Sequence, residues 1–167
     1  MIVRGAPVRP SIGGVVMDTE AGLRRLMELA ARERYLGVFV TTNADNSPQV
    51  SVLNAGVLAS PLATDAGRPR VALVAMPAAK IRNLRARPEA TLVVRAGWEW
   101  IAVRGPVTLI GPDDPQPEVD DERLRVLLRD IFHAAGGAHD DLDAYDRAMR
   151  VERRCAVLIT PERFTTN

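Results

Sequence analysis

The sequence has few of the side chains that form disulfides or bind metal ions. It contains one cysteine, Cys155, and two histidines, His133 and His139, among 167 residues. A lone cysteine forms no internal disulfide, and these three side chains do not supply the paired ligands of a structural zinc site. A chain of this length buries about 70% of its unfolded surface, so it needs neither device to fold. We therefore expect no disulfide and no metal.

Long apolar runs and an excess of one charge are also missing. The sequence has no apolar run of about 18 residues and no apolar stretch at its start, so neither a membrane span nor a signal peptide is predicted. Its net charge of +1 argues against a broad cationic surface for nucleic acid or anionic membranes. We expect a cytoplasmic protein whose residues 1–167 form one domain, near the usual size of about 150 residues.

Lysine is nearly absent, although basic residues are common. Of the 22 basic residues, 21 are arginines and only Lys80 is a lysine. This skew, together with abundant alanine, is typical of a genome rich in G and C. In a genome that favours arginine codons, a single remaining lysine is either present by chance or has a specific role. Its position in the chain has to decide between the two.

The hydrophobic pattern predicts a mainly β, α+β protein with flanking helices. Apolar residues at helical spacing alternate with short β-branched runs that end in turn residues. The predicted helices are 20–34, 79–86, 121–135 and 142–152, and the predicted strands are 36–42, 49–57, 70–76, 89–95, 98–110 and 155–160. A bend is expected at Gly105-Pro106 in the long strand. Five or six antiparallel strands favour a small barrel, because closure removes exposed edges.

The segment 76–88 holds the strongest indication of function. A strand ends there, a short helix begins at Ala79, and Lys80 lies in the first turn. The N–H groups at a helix start are unpaired and partly positive, which suits a phosphate, and an ammonium adds a point charge. The alternative is that Lys80 and the arginines that follow it form a solvated basic face.

The pattern Lys80-x-x-Asn83-Leu84-Arg85-x-x-Pro88, between two apolar strands, resembles the pyridoxamine 5′-phosphate oxidase-like split-barrel superfamily. More narrowly, it resembles the actinobacterial branch that uses the deazaflavin coenzyme F420. Three further segments resemble this family in the same order, and the likeness extends over nearly all of residues 36–163. These segments are the turn at 45–51, the strand at 98–105 and the carboxyl-terminal part at 148–163.

The resemblance implies an FMN-binding-like split barrel of six antiparallel strands that forms a homodimer with cofactor sites at the subunit interface. It also implies an oxidoreductase in which reduced F420 donates a hydride to a small organic acceptor. By this analogy Lys80 holds the cofactor phosphate, and strand two runs beside the ring. The implied cofactor-binding residues are Lys80, Ser51, Val52, Asn54, Ala79, Arg82, Asn83, Trp98 and Trp100.

The two tryptophans allow two interpretations. Residues two apart share one face of a strand, so Trp98 and Trp100 either line the cofactor pocket or pack the barrel. Trp98 is nearer the turn and is expected to contact ligand, whereas Trp100 begins an apolar run and is expected to pack the barrel. Alternation places Glu99 on the opposite face, where we expect solvent around its carboxylate.

Departures from the family pattern bear on the cofactor. Members that use FMN commonly have a hydroxyl or second basic residue before this lysine, where the chain has Ala78-Ala79. The second strand also lacks the basic residues that pyridoxamine-phosphate oxidases use on the FMN phosphate, which disfavours oxidation of vitamin B6. An FMN-dependent enzyme and a carrier of flavin or F420 without turnover remain the alternatives. No side chain is assigned to catalysis, since the cofactor carries the hydride chemistry.

Overall fold

The computed structural model describes residues 17–167. Within this range the chain forms four α-helices and eight strands. The helices are α1 (Thr19–Arg32), α2 (Ala79–Ala86), α3 (Asp121–Ala134) and α4 (Leu142–Val151). The strands are β1 (Leu36–Thr42), β2 (Pro48–Asn54), β3 (Gly56–Leu58), β4 (Arg70–Ala75), β5 (Glu89–Ala96), β6 (Glu99–Ile110), β7 (Cys155–Ile159) and β8 (Arg163–Thr166).

None of the helices in the described range has the length and apolar character needed to cross a membrane. The expectation about a signal peptide concerns the start of the chain, which lies outside the described residues.

The strands form a curled antiparallel sheet in the order β2-β1-β5-β6-β7-β4-β3, with β8 paired to β6. Only Ala55 separates β2 from β3, although these strands stand at opposite ends of that order. The sheet therefore curls back on itself, and β2 comes into contact with β4 without a hydrogen-bonded ladder between them. This arrangement is a barrel that is split between β2 and β4.

The long strand β6 joins the two halves of the barrel. Its first part pairs with β5 and β8, and its last four residues pair with β7. The change of partners occurs at Gly105-Pro106, where the sequence predicts a bend. A Cβ atom on Gly105 would lie 1.8 Å from the carbonyl oxygen of Thr160, so only glycine allows this close approach.

The core lies on both sides of the sheet. Inside the barrel, Phe39, Leu92 and Ile101 are fully buried, and α1 covers them with Leu26 and Leu29. Each such side chain contributes about 1.5–3 kcal/mol through burial. A second cluster forms where α3 packs on the outer side of β4, β6 and β7. Its main residues are Ala72, Ile110, Leu127, Ile131 and Leu158.

The α+β class, the antiparallel sheet and the four helices are confirmed, but the count of six strands is wrong. The predicted strand 49–57 is two strands, because the chain turns at Ala55 from pairing with β1 to pairing with β4. Gly56 follows at once, and a Cβ there would lie 2.4 Å from the backbone of Ala134 in α3. The short strand β8 was also missed, because its stability comes from pairing with β6, far away in sequence.

Candidate functional site

An open cleft lies between the facing edges of β2 and β4. Among the described residues, β2 pairs only with β1, and residues 73–75 of β4 pair only with β7. The β2–β4 cleft has a volume of about 300 Å³. Its walls come from β2, β4, α3, α4 and the residue before β7: Val52, Leu53, Asn54, Val74, Ile131, Phe132, Ala135, Tyr145, Met149 and Arg154. Backbone edges without a strand partner keep their polar groups available to a ligand.

The start of α2 differs from the start of the other helices. Three helices begin with an aspartate whose carboxylate accepts a backbone N–H bond of 2.8 Å; these are Asp18, Asp120 and Asp141. In α2 this position is held by Ala78, which has no side-chain cap. The first N–H groups of α2 therefore lack the anionic partner that the other helices carry, and an external anion fits there.

Lys80 lies in this first turn and is half-buried. Two acidic residues of the loop after β6 are bound by arginines, because Arg85 contacts Asp114 at 2.8 Å and Arg153 contacts Asp113. These two carboxylates are thus paired with guanidinium groups and not with the Lys80 ammonium.

Lys80 follows a strand that lines the cleft. Val74 of β4 is a cleft residue, β4 ends at Ala75, and α2 begins at Ala79. The uncapped helix start therefore comes a few residues after the cleft wall along the chain, and the residues of α2 are not themselves part of the cleft lining.

Asn83 and Arg82, the other predicted binding residues of α2, have different environments. The side-chain amide of Asn83 donates to Oδ1 of Asn43 at 2.9 Å and to Oγ1 of Thr41 at 3.2 Å. Arg87 donates to the backbone of the same β1–β2 turn. Asn83 thus fastens α2 to the turn, whereas Arg82 is exposed.

The predicted residues of β2 are divided between its two faces. Val52 and Asn54 line the cleft, and the Asn54 amide also donates to the carbonyl of Arg34 at 2.8 Å. Ser51 alternates to the other face, across from Phe39 in the core. Val52 and Asn54 are therefore cleft residues, whereas Ser51 is not part of the cleft lining.

An apolar groove of about 900 Å³ lies on the outer face of the sheet. We call it the outer groove; its apolar walls are Leu36, Val38, Val52, Val93, Trp98 and Trp100. Trp98 lies in the turn before β6, not in the strand, and is 93% exposed. Val52 borders both the outer groove and the β2–β4 cleft, so the two surfaces meet at β2.

The expectation that Trp100 packs inside the barrel is wrong. Ile101 and Val103 are fully buried on the inner face of β6, so alternation places Trp100 on the outer face, where it is half-buried. Glu99 does lie on the opposite face from Trp100, but Arg25 and Arg32 of α1 bind its carboxylate. Hydrogen bonds from these two guanidinium groups lower the pKa of Glu99 to about 2.

Four cleft residues carry weak or no sequence signals. Val74 comes from β4, and Tyr145 and Met149 come from α4; these two elements meet only in the folded chain. Met149 and Arg154 lie in the carboxyl-terminal segment that resembles the split-barrel family, which is the one available signal. The Tyr145 hydroxyl donates to the carbonyl of Leu128 at 3.2 Å, and burial raises the pKa of Tyr145 to about 12.

The residues present suit a cofactor with a phosphate and a flat ring. The uncapped start of α2 and Lys80 fit the phosphate, and the apolar walls and free strand edges of the cleft fit the ring. Within residues 17–167, no group of three metal-ligating side chains is placed to hold a metal ion.

No family model matches the sequence. Solved structures are nevertheless similar over most of the chain. An F420 reductase matches with a TM-score of 0.53 and 17% identity, covering 89% of this chain and 97% of that one. A putative pyridoxamine 5′-phosphate oxidase from Listeria innocua matches with a TM-score of 0.53 and 13% identity, covering 89% and 98%.

The fold is a split barrel like those of these two proteins. Proteins with this split-barrel fold differ in their ligands, since HutZ, a heme storage protein from Vibrio cholerae, also matches, with a TM-score of 0.55 and 14% identity over 90% of this chain and 96% of that one. At such identities the likeness concerns the fold alone. The ligand of this chain has to be argued from its own residues.

Proposed function

We propose that the chain is an oxidoreductase that binds coenzyme F420 and passes a hydride between the reduced cofactor and a small organic acceptor. The observation that carries the proposal is the uncapped start of α2, with Lys80 in its first turn, which follows directly after β4, a strand that lines the β2–β4 cleft. The bound cofactor supplies the hydride chemistry. The protein binds and orients both reactants and keeps water out.

The phosphate is held by α2. The backbone N–H groups of Ala79 and Lys80 have no side-chain cap, and the Lys80 ammonium adds a full positive charge. Arg82 is exposed on the same helix and supplements that charge. Asn83 contributes by keeping α2 fixed to the β1–β2 turn.

The ring lies in the β2–β4 cleft. Val52, Val74 and Met149 offer apolar contacts, and Asn54 offers an amide at the cleft wall. The unpartnered edges of β2 and β4 offer backbone donors and acceptors for the polar edge of a flavin or deazaflavin. The positive charge is at α2 and the apolar contacts are in the cleft. This arrangement suits a cofactor with a phosphate on one side and a flat ring on the other.

The active form is a homodimer that associates through the outer groove. Leu36, Val38 and Val52 are 43%, 39% and 62% exposed, and Trp98 extends this apolar surface. An exposed apolar patch of this kind marks an interaction surface. Because Val52 borders both the outer groove and the cleft, the partner subunit completes the cofactor site, as the split-barrel resemblance implies.

The second candidate is an FMN-dependent enzyme, which the likeness to a putative pyridoxamine 5′-phosphate oxidase favours. The same charged helix start would take its phosphate. Ala78 and Ala79 provide no hydroxyl or second basic side chain there, which is the reason for preferring F420.

A parallel titration of the purified protein tests the proposal. F420, FMN and hemin are added separately and followed by fluorescence or absorbance, and reduced F420 is then mixed with candidate acceptors under anaerobic conditions. Saturable binding of F420 with oxidation of its reduced form by an acceptor is the expected result. Tight binding of FMN or hemin with none of F420 would refute the assignment, and F420 binding without any turnover would indicate a carrier.

A further inference from the structure

Asn54 ends β2 and lines the β2–β4 cleft with a side-chain amide whose two ends have different partners. Its nitrogen Nδ2 donates to the carbonyl oxygen of Arg34 at 2.8 Å. Because a carbonyl oxygen only accepts hydrogen bonds, this contact fixes which end of the amide is the nitrogen. Within residues 17–167, Oδ1 of Asn54 accepts no hydrogen bond from a side chain or from the backbone. The oxygen is therefore available as an acceptor for a ligand.

The carbonyl group that orients Asn54 belongs to a tightly defined turn between α1 and β1. Arg34 and the next residue, Tyr35, have φ angles of +56° and +61°, in the left-handed region that residues with a Cβ adopt at an energetic cost. The N–H group of Tyr35 donates to the carbonyl of Ala30 in α1 at 2.7 Å, which holds this turn in place. The direction of the Asn54 amide is thus set by the backbone around it.

The backbone of β2 beside Asn54 also points into the cleft. The N–H group of Ala55 donates to the carbonyl of Tyr35 at 3.0 Å, and this pair continues the register of the β1–β2 ladder. Opposite residues in an antiparallel ladder alternate between bonded and non-bonded pairs, so the N–H and C=O groups of Asn54 and Val52 point away from β1. They lie at the edge of β2 with which no other strand of the described chain pairs.

This edge of β2 offers an acceptor together with backbone donors. The acceptor is Oδ1 of Asn54, and the donors are the N–H groups of Val52 and Asn54. An imide, in which one N–H lies between two carbonyl groups, has the complementary pattern. Flavins and deazaflavins carry an imide at one end of the ring, whereas heme has none. A site that hydrogen-bonds a ligand N–H discriminates against a ligand that lacks it, because its own polar group is left without a partner.

We propose that the open edge of β2 recognises the imide of the cofactor ring, and that Oδ1 of Asn54 accepts the hydrogen bond from the imide N–H. The ligand class of the cleft is then a flavin or deazaflavin, and heme, the ligand named for the similar protein HutZ, does not fit this edge. The inference rests on the proposed function in placing the ring in the β2–β4 cleft. It adds which group of the ring is recognised and which residue recognises it.

The test uses riboflavin, which has the imide but no phosphate, and 3-methylriboflavin, in which a methyl group replaces the imide hydrogen. The full chain is titrated with each by fluorescence, as the wild type, Asn54→Ala and Gln49→Ala. Gln49 is the matched control, since its amide lies on the same strand, donates to the Val50 carbonyl at 3.1 Å and is outside the cleft lining. We expect the wild type and Gln49→Ala to bind riboflavin about 3–10-fold more tightly than 3-methylriboflavin, as one neutral hydrogen bond provides. Asn54→Ala should bind the two ligands with similar affinity.

Equal affinity of the wild type for riboflavin and 3-methylriboflavin, or no binding of riboflavin, would overturn the proposal. A folded Asn54→Ala protein that keeps the preference would overturn it as well. Circular dichroism checks the fold, and if this variant does not fold, the comparison of the two ligands on the wild type decides. Failure of the proposed function gives a different result: an imide preference in a protein that binds no F420 would refute the cofactor assignment and leave this inference standing. F420 binding without an imide preference would do the reverse.

Discussion

Nδ2 of Asn83 lies 2.9 Å from Oδ1 of Asn43, so the residue three positions after Lys80 ties α2 to the turn between β1 and β2. The same nitrogen lies 3.2 Å from Oγ1 of Thr41, which is buried. This asparagine was expected among the cofactor-binding residues. Its contacts support an indirect role in cofactor binding. Asn83 fixes the position of α2, and the first turn of α2 contains Lys80.

Asn83→Ala should therefore lower stability. The substitution removes the amide that donates to the buried Thr41 hydroxyl. Leaving a buried polar group without its partner lowers the free energy of unfolding by about 1–3 kcal/mol. Thermal and urea unfolding measure the change. Arg82→Ala is the control on the same helix, and as an exposed substitution it should stay within about 0.5 kcal/mol of the wild type. An Asn83→Ala protein as stable as the wild type but with much weaker cofactor affinity would favour direct contact instead.

Gly105→Ala should prevent folding or destabilise the protein severely. The new Cβ would lie 1.8 Å from the Thr160 carbonyl oxygen, and the strands there cannot separate without breaking β6 from its partners. Gly97→Ala is the matched control, because nothing lies within 4 Å of its Cβ position. Its cost comes only from a φ of +64°, which amounts to about 1–2 kcal/mol for a residue with a Cβ. Melting temperatures that are lowered equally by the two substitutions would contradict this account of β6.

Stability should fall in acid partly through Glu99. Its pKa is lowered to about 2 from its ordinary value of 4.5, chiefly by hydrogen bonds from Arg25 and Arg32. The ion pairs thus contribute fully above about pH 4.5, and their contribution is lost as the pH falls from there towards 2. Glu99→Gln should be less stable than the wild type at pH 7, and its stability should decline less steeply through this range.

Denaturant unfolding at several pH values measures that difference. Glu28→Gln is the control, since it removes a more exposed carboxylate that lies 3.7 Å from the same Arg25. Parallel pH profiles for Glu99→Gln and the wild type would show that the pairing with α1 contributes nothing measurable.

Much of the architecture was readable from the sequence because its signals are local. The four helices and most strand positions follow from periodicity, caps and turn residues within a few positions of one another. The break at Ala55 and the strand β8 were not readable, because each depends on pairing with a distant strand. The burial of Trp100 was mispredicted for a related reason: alternation shows that Trp100 and Ile101 face opposite sides, but not which side is the interior.

The candidate site was only partly predictable. Lys80 is conspicuous in the sequence because it is the only lysine, and the structure places it at a helix start without a side-chain cap. The cleft could not be predicted from local patterns, because Val74 of β4 meets Tyr145 and Met149 of α4 only in the folded chain.

Trp98→Ala should weaken self-association while leaving the fold intact. Its indole is 93% exposed in the described chain, so its loss removes little internal packing. If the outer groove is the subunit interface, loss of a central aromatic residue costs about 2 kcal/mol or more, which is about 30-fold in the dimer dissociation constant. Sedimentation over a range of concentrations measures this. Val151→Ala, another exposed apolar position at 81%, should leave association unchanged; equal effects of the two changes would exclude the outer groove as the interface.

The most direct measurement is the dissociation constant of F420 for the wild type, Lys80→Ala and Arg82→Ala, with melting temperatures recorded in parallel. Loss of one charge-assisted phosphate contact should weaken F420 binding by about 10–150-fold in Lys80→Ala. The melting temperature should be nearly unchanged, because Lys80 is only half-buried and is not part of the core. Arg82→Ala should lose much less. An F420 dissociation constant that is the same in Lys80→Ala as in the wild type would contradict the assignment of the α2 start as the phosphate site.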